Sequence, residues 1–485
     1  MGFITNNVYL DGVTHRQMRK SLLHDFLITR FINLHGDSRK REVSPDGKPD
    51  ENVFDIQQGV AIALYVKSEK SLKEKAVYYA DFWGLRDEKY KYLFENDVQK
   101  TKWQKLEPFA PYYFFVPKDF ALQAEYEKFW KVTEIFKEWS SGVTTHRDNF
   151  VVGFTKEEII QRLRIFNGKL PDELVAQSLN LKDTGTWKLA NARRKVKGQR
   201  VEDKIYPYAY RPFDVRFVCY EPILIDRPRL PFMNNLISEN LGLATVRILS
   251  QLPFSHAFIS KCLSNREFVS IRTKERTYIF PLYLYQDKTE EDLFSEKSQK
   301  VNRIPNFTHE FLQSIKASVG TEPTPEDIFY YIYAVLYSPT YRKRYEEFLK
   351  IDFPRVPLPP SYDTFKELSS LGKELVDLHL LKHPELEKTK VGFPKDGSNK
   401  VEKVGYAEEG QRVFINKEQY FEGISKEGWE YRIGAYQVME KYLKDRKDRK
   451  LSLDEINHYM KVSKAIRLTI ELQKKIDDIY GKAEN

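Results

Sequence analysis

The chain has 485 residues, 41% hydrophobic and 31% charged. That is enough apolar material for real cores, spread over about two to four domains. A net charge of +9 suits a polyanionic partner without requiring one. Cys219 and Cys262 lie far apart, which argues against a disulfide framework and a structural zinc site. With no membrane-length apolar run and no signal segment, a soluble protein of a reducing cytoplasm is expected.

Gly2 to Asn7 reads as a strand. Thr14 and Gln17 are spaced as a capping box, with Val13 and Met18 as its hydrophobic staple. Met18, Leu22 and Phe26 then mark a helix face, and Phe26 to Leu34 reads as a buried strand. A polar loop turns at Pro45-Asp46-Gly47 and leads to the apolar strand Val60 to Val66. A strand, a crossover helix and two more strands make the last third of a doubly wound sheet. Such a piece cannot cover both its faces, so the rest of the sheet must come from elsewhere.

Residues 76–140 are mixed and read as a packing bridge, with helical spacing from Tyr126 to Trp139 through Phe129, Val132 and Phe136. Thr155 and Glu158 form a capping box on a short helix. The run Asn191 to Arg200 then carries Arg193, Arg194, Lys195, Lys197 and Arg200 and no acid. From Tyr206 to Leu230, aromatic rings alternate with Arg211, Arg216, Arg227 and Arg229, and prolines break the run into short extended pieces. Guanidinium forks bind phosphate oxygens and guanine edges, and flat rings stack on bases. A nucleic-acid surface is one reading. A proline-bounded sheet with an aromatic core and a solvated basic face is the other, and composition leaves both open. Strands are expected at Leu243 to Leu249, Ala257 to Ser260 and Tyr278 to Tyr285, punctuated by Arg247, Arg266 and Arg272. His256 reads as a satisfied core histidine, with a base contact as the alternative. Caps at Thr324, Ser338 and Ser452, the last boxed with Glu455, mark a helical end of the chain.

Several blocks carry a resemblance. They are Gly2-Phe3-Ile4-Thr5-Asn6-Asn7, Ile32-Asn33-Leu34-His35-Gly36, Gly142-Val143-Thr144-Thr145-His146-Arg147-Asp148, Tyr210-Arg211-Pro212-Phe213-Asp214 and Asp352-Phe353-Pro354-Arg355. In this order they resemble the adenine-specific DNA methyltransferases of type ISP and type IIG restriction–modification enzymes. The resemblance covers the second half of that family only. The glycine-rich turn for S-adenosylmethionine and the Asn-Pro-Pro-Tyr motif are not in the sequence. Leu358-Pro359-Pro360-Ser361-Tyr362, the nearest echo, reads as a structural turn.

The resemblance implies an α/β fragment, the last strands of a methyltransferase sheet, over residues 1–75, then a connecting segment over 76–140. It implies an α+β target-recognition domain over 141–300 and a largely helical specificity subdomain over 301–485. The partners implied are double-stranded DNA and a second polypeptide carrying the N-terminal motifs. S-adenosylmethionine is expected only in the assembled enzyme, with none on this chain alone. The DNA-binding candidates are Arg193, Arg194, Lys195, Lys197, Arg200, Arg211, Arg216, Arg227, Arg229, Arg247 and Arg272. Tyr65 matches by position the ring that stacks on a flipped adenine, and reads equally as strand filler. A stand-alone DNA-binding remnant is the alternative function. A nuclease is disfavoured, because Asp172-Glu173 and Glu402-Lys403 are not joined into a site.

Overall fold

In the computed structural model, residues 1–38, 42, 44–67, 75–250, 253–272, 275–285 and 303–484 are described. Two compact units emerge, Met1–Leu122 and Gln123–Asn485. In the first, β1 (Gly2–Asn6), β2 (Ile28–Asn33), β3 (Val60–Val66), β4 (Ala76–Asp81) and β5 (Gln104–Leu106) form one sheet in the order β1-β3-β2-β4-β5. β3 runs antiparallel to both β1 and β2, and β2 is parallel to β4. Alternation along β2 sends Phe31 to one face and Ile32 to the other. Burying such a side chain contributes roughly 1.5–3 kcal/mol.

The helix expected after Thr14 exists, but it starts differently. A 3-10 turn at Val13–His15 precedes α1 (Arg16–Asp25), and Thr14 does not cap it. Met18 is exposed, so the staple fails. The start is fixed instead by Arg19, fully buried, whose guanidinium donates to the carbonyls of Tyr9, Gly12 and Tyr112. The boundary expected at residue 75 falls inside this sheet, because β4 and β5 extend it.

In the second unit the continuous helix expected from Tyr126 to Trp139 is broken. Trp130–Lys131 pairs as a strand with Arg355–Val356, leaving single helical turns on either side. The strand elements are β6 (Ser140–Ser141), β7 (Val152–Gly153), β8 (Ile205–Arg211), β9 (Asp214–Cys219), β10 (Gly242–Val246), β11 (Ala257–Ser260), β12 (Leu263–Ser264) and β13 (Thr277–Pro281). They make two four-stranded sheets, β12-β8-β9-β7 and β11-β10-β13-β6. The caps at Thr155, Thr324, Ser338 and Ser452 all form, though at Thr155 the expected box is incomplete, because the Glu158 carboxylate accepts from the Phe154 amide instead of that of Thr155. They open α2 (Lys156–Asn167), α3 (Pro325–Tyr337), α4 (Pro339–Arg344) and α6 (Leu453–Glu484). Ser361 of the proline turn caps α5 (Tyr362–His379), which gives that turn a structural role. The boundary expected at residue 300 lies outside the described residues.

One knot ties sheet to helices. Asp214 is 2% exposed and accepts from Arg216 at 2.7 Å and from Arg446 at 3.0 Å. Arg446 also donates to Glu455 of α6, and His458 of α6 meets the Phe213 carbonyl. Burial pushes the Asp214 pKa up, but the two guanidiniums outweigh it and hold it at about 2. A buried pair that loses one partner leaves an uncompensated charge. Asp214→Asn is therefore expected to cost about 3–5 kcal/mol in a urea unfolding measurement. The folded-state pKa is depressed below the unfolded value. The wild-type contribution is thus fully present above about pH 4 and lost as pH falls toward 2.

Candidate nucleic-acid interface

The segment Gly142 to Arg147 is threaded between three other stretches. Thr144 and Arg227 exchange backbone hydrogen bonds. Val143 bridges in parallel to Asn265, and the Arg266 amide donates to the Val143 carbonyl. The Gly142 amide donates to Thr277, whose own amide donates to Arg266. A Cβ on Gly142 would stand 2.5 Å from the Asn265 backbone, so only glycine allows the approach. This weave brings together residues remote in sequence.

Its product is a cluster of Arg227, Arg229, Arg266 and Arg276. Burial and then the guanidiniums of Arg227, Arg276 and Arg266 push the Arg229 pKa down. Among the described residues, Arg229, Arg266 and Arg276 make no ion pair, and Arg227 meets only Asp226 at 3.3 Å. Like charges held together with so little compensation are stabilised by an external anion. Arg227 and Arg276 are exposed, and Arg229 and Arg266 are half-buried.

Five other arginines of this region are engaged within the fold. Arg211, 4% exposed, pairs with Glu267 at 3.2 Å and stacks on Tyr210. Arg216 belongs to the Asp214 knot and lies over Tyr210 and Phe154. Neither faces an open surface, so both are corrected from DNA contacts to framework. Arg193 is likewise structural, joined to Asp172 and to the carbonyls of Phe166 and Gly168. Arg247 is held by Asp352, and Arg272 donates to Ser250. Arg194, Lys195, Lys197 and Arg200 are exposed, on and just after the helix Leu189–Val196. They remain available, but no hydrogen bond or ion pair among the described residues links them to the cluster.

Tyr65 is 6% exposed and packs against Phe26, Phe31 and Phe3. Its ring fills the core of the first unit, which is the filler reading. His256 is fully buried against Glu275 at 3.2 Å. Glu275 also accepts from Ser250 and Ser270, and these bonds with the His256 ring hold its pKa down at about 2 despite burial. Arg276, next in the chain, escaped the sequence reading. Its basic neighbourhood, Arg272 to Arg276, was the available signal.

The model of the Type ISP C-terminal specificity domain matches residues 134–475. The chain belongs to that family. No curated protein matches it. Solved structures share the fold of this specificity domain and of the segment before it, three of them with DNA or a DNA substrate mimic. The ATP-dependent Type ISP restriction-modification enzyme LlaBIII bound to DNA superposes with a TM-score of 0.75 at 22% identity, over 98% of this chain and 32% of its own. A DrdV–DNA complex gives 0.75 and 22%, over 98% of this chain and 50% of its own. A nuclease-deletion mutant of the Type ISP enzyme LlaGI, in complex with a DNA substrate mimic, gives 0.71 and 21%, over 98% and 46%. The specificity-domain chain thus spans from 32% to 50% of the length of these relatives. Among its described residues no helix is long and apolar enough to cross a membrane, and no group of three or more His, Cys, Asp or Glu could hold a metal ion.

Because the weave depends on the backbone approach at Gly142, Gly142→Ala is expected to lower stability by about 1–3 kcal/mol. Differential scanning calorimetry would register it as a drop in Tm, against no comparable drop for Gly185→Ala, where a Cβ meets nothing.

Proposed function

We propose that this chain is the sequence-recognition part of an adenine-specific DNA methyltransferase in a restriction–modification system of the prokaryotic cytoplasm. The observation that carries the reading is the cluster of Arg227, Arg229, Arg266 and Arg276, which lacks sufficient acid and sits inside a Type ISP specificity domain. Exposed and half-buried guanidiniums on loops and strand ends suit duplex phosphates and guanine edges. The similar structures, each solved with DNA or a DNA substrate mimic, support the same assignment.

In this reading the first unit supplies the last strands of a methyltransferase sheet. The order β1-β3-β2, with an antiparallel strand between two that run the same way, supports it. So does the β1 edge. All five of its residues are exposed, Phe3 and Ile4 among them, and among the described residues only β3 pairs with it, on one side. An open apolar edge of this kind is what a continuing sheet would cover. A second polypeptide, or a further stretch of the same protein, would bring the strands, the S-adenosylmethionine site and the Asn-Pro-Pro-Tyr motif.

In this reading S-adenosylmethionine is held outside this chain. Where glycines of the first unit allow close approach, the chain's own side chains and backbone take the space. Gly36 faces the Asn52 backbone and Gly59 the Asn7 amide. No methyl-transfer step is therefore assigned to this chain, and alone it is expected to be inactive. Its part in the assembled enzyme is to grip duplex DNA and set the target in register.

The test compares two sets of variants by duplex affinity against salt. Replacing Arg227, Arg229, Arg266 and Arg276 together by Gln is expected to make the log–log salt slope shallower by up to about 3.6. Arg211→Gln is expected to lower Tm while leaving the slope as in the wild type. An unchanged slope in the fourfold variant would contradict the reading.

A further inference from the structure

Beside the arginine cluster opens a cleft of about 330 Å³, and Arg266 belongs to both. Two asparagines, Asn149 and Asn180, stand on its wall with exposed side chains. Among the described residues neither side-chain amide makes a hydrogen bond. The acids of the same wall are already engaged. Asp148 accepts from Thr145 and from Tyr210, and Glu267 from Arg211. His146, also on the wall, meets Asp226 at 3.4 Å, and Asp226 meets Arg227 of the cluster at 3.3 Å. Beside Arg266, the surface groups this wall leaves unengaged are therefore the two uncharged amides.

Both amides are carried on firm backbone. Asn149 lies between Asp148, whose carboxylate is held by Thr145 and Tyr210, and Phe150, which is fully buried. The Phe150 and Val151 amides both donate to the Arg147 carbonyl, which closes the turn that presents Asn149. Asn180 sits between Leu179 and Leu181, each 6% exposed. Its backbone amide donates to the Gln177 carbonyl at 3.3 Å, and that of Leu181 to the Ala176 carbonyl at 2.8 Å. A short side chain on a fixed backbone loses little freedom when it binds.

Charge and carboxamide suit different parts of a duplex. A phosphate is satisfied by positive charge, and every sequence supplies it. A base edge in the major groove presents its own pattern of donors and acceptors. A carboxamide carries a donor and an acceptor together, and its best match is adenine, whose N6 and N7 it can meet at once.

We propose that Asn149 and Asn180 read base edges in the major groove, each preferring adenine, while the arginine cluster holds the neighbouring phosphates. The inference rests on the DNA reading proposed above and adds to it the side chains that choose the sequence.

The test is selection of duplexes from a randomised pool by the full chain, followed by the affinity of the selected duplex and of its single-base substitutions. Asn149→Ala and Asn180→Gly are compared with the wild type. Glycine keeps the left-handed backbone of Asn180, at φ of 49°, without strain. Both side chains are exposed, so the Tm of each variant is expected to stay at the wild-type value. The wild type is expected to enrich a sequence with adenine at the positions read. Each variant is expected to lose the preference at one of them by roughly 5- to 150-fold and to keep the others. A wild type that binds duplex without base preference, or preferences that both variants retain, overturns the inference and leaves the DNA reading standing. Equal weakening of every duplex also overturns it, since phosphate contacts behave that way. A wild type that binds no duplex removes the DNA reading itself.

Discussion

A carboxylate sealed between two guanidiniums holds the second unit together. Asp214 ends the Tyr210-Arg211-Pro212-Phe213-Asp214 turn, and through Arg446 it reaches Glu455 on the last helix. Buried charge of this kind is strongly position-specific, since each member is costly without the others. The sheet that carries Asp214 is therefore keyed to the C-terminal helices by geometry as well as by apolar contact. His379 extends the key. It is buried and kept neutral, its pKa pushed down to about 3, while it joins Tyr333 of one helix to Thr469 of another.

The arginines of this unit fall into two kinds with opposite chemistry. Arg211, Arg216 and Arg446 are buried, paired and stacked on rings, and their charge is consumed inside the fold. Arg227, Arg229, Arg266 and Arg276 repel one another at the end of the woven segment. The first kind makes the second possible. In the function proposed, a frame rigid enough to hold like charges together would give an anion a site that needs little reorganisation on binding.

What could be read from the sequence was whatever rests on near neighbours. The caps at Thr324, Ser338 and Ser452 need only residues three positions away, and they form as read. The strands at Val60–Val66 and Ala257–Ser260 follow from unbroken apolar runs. Thr14 failed because a remote contact, Arg19 with Tyr112, decides where its helix begins. The helix over 126–139 failed because Arg355–Val356 claims its centre as a strand. Sorting the arginines failed for the same reason. Asp214, which binds Arg216 from two positions away, is itself buried only because Arg446 and the last helix close over it, and Asp445, the second partner of Arg216, lies more than two hundred positions away. The ordered blocks of family resemblance carried the assignment further than any local pattern.

Hydrogen exchange of the free chain and of its complex with duplex DNA tests the central claim most directly. The account predicts slowed exchange at residues 142–147, 225–230, 264–267 and 275–278 on binding, with the Asp214 knot already slow in both states. Protection confined to residues 191–200, with the woven segment unchanged, would contradict it.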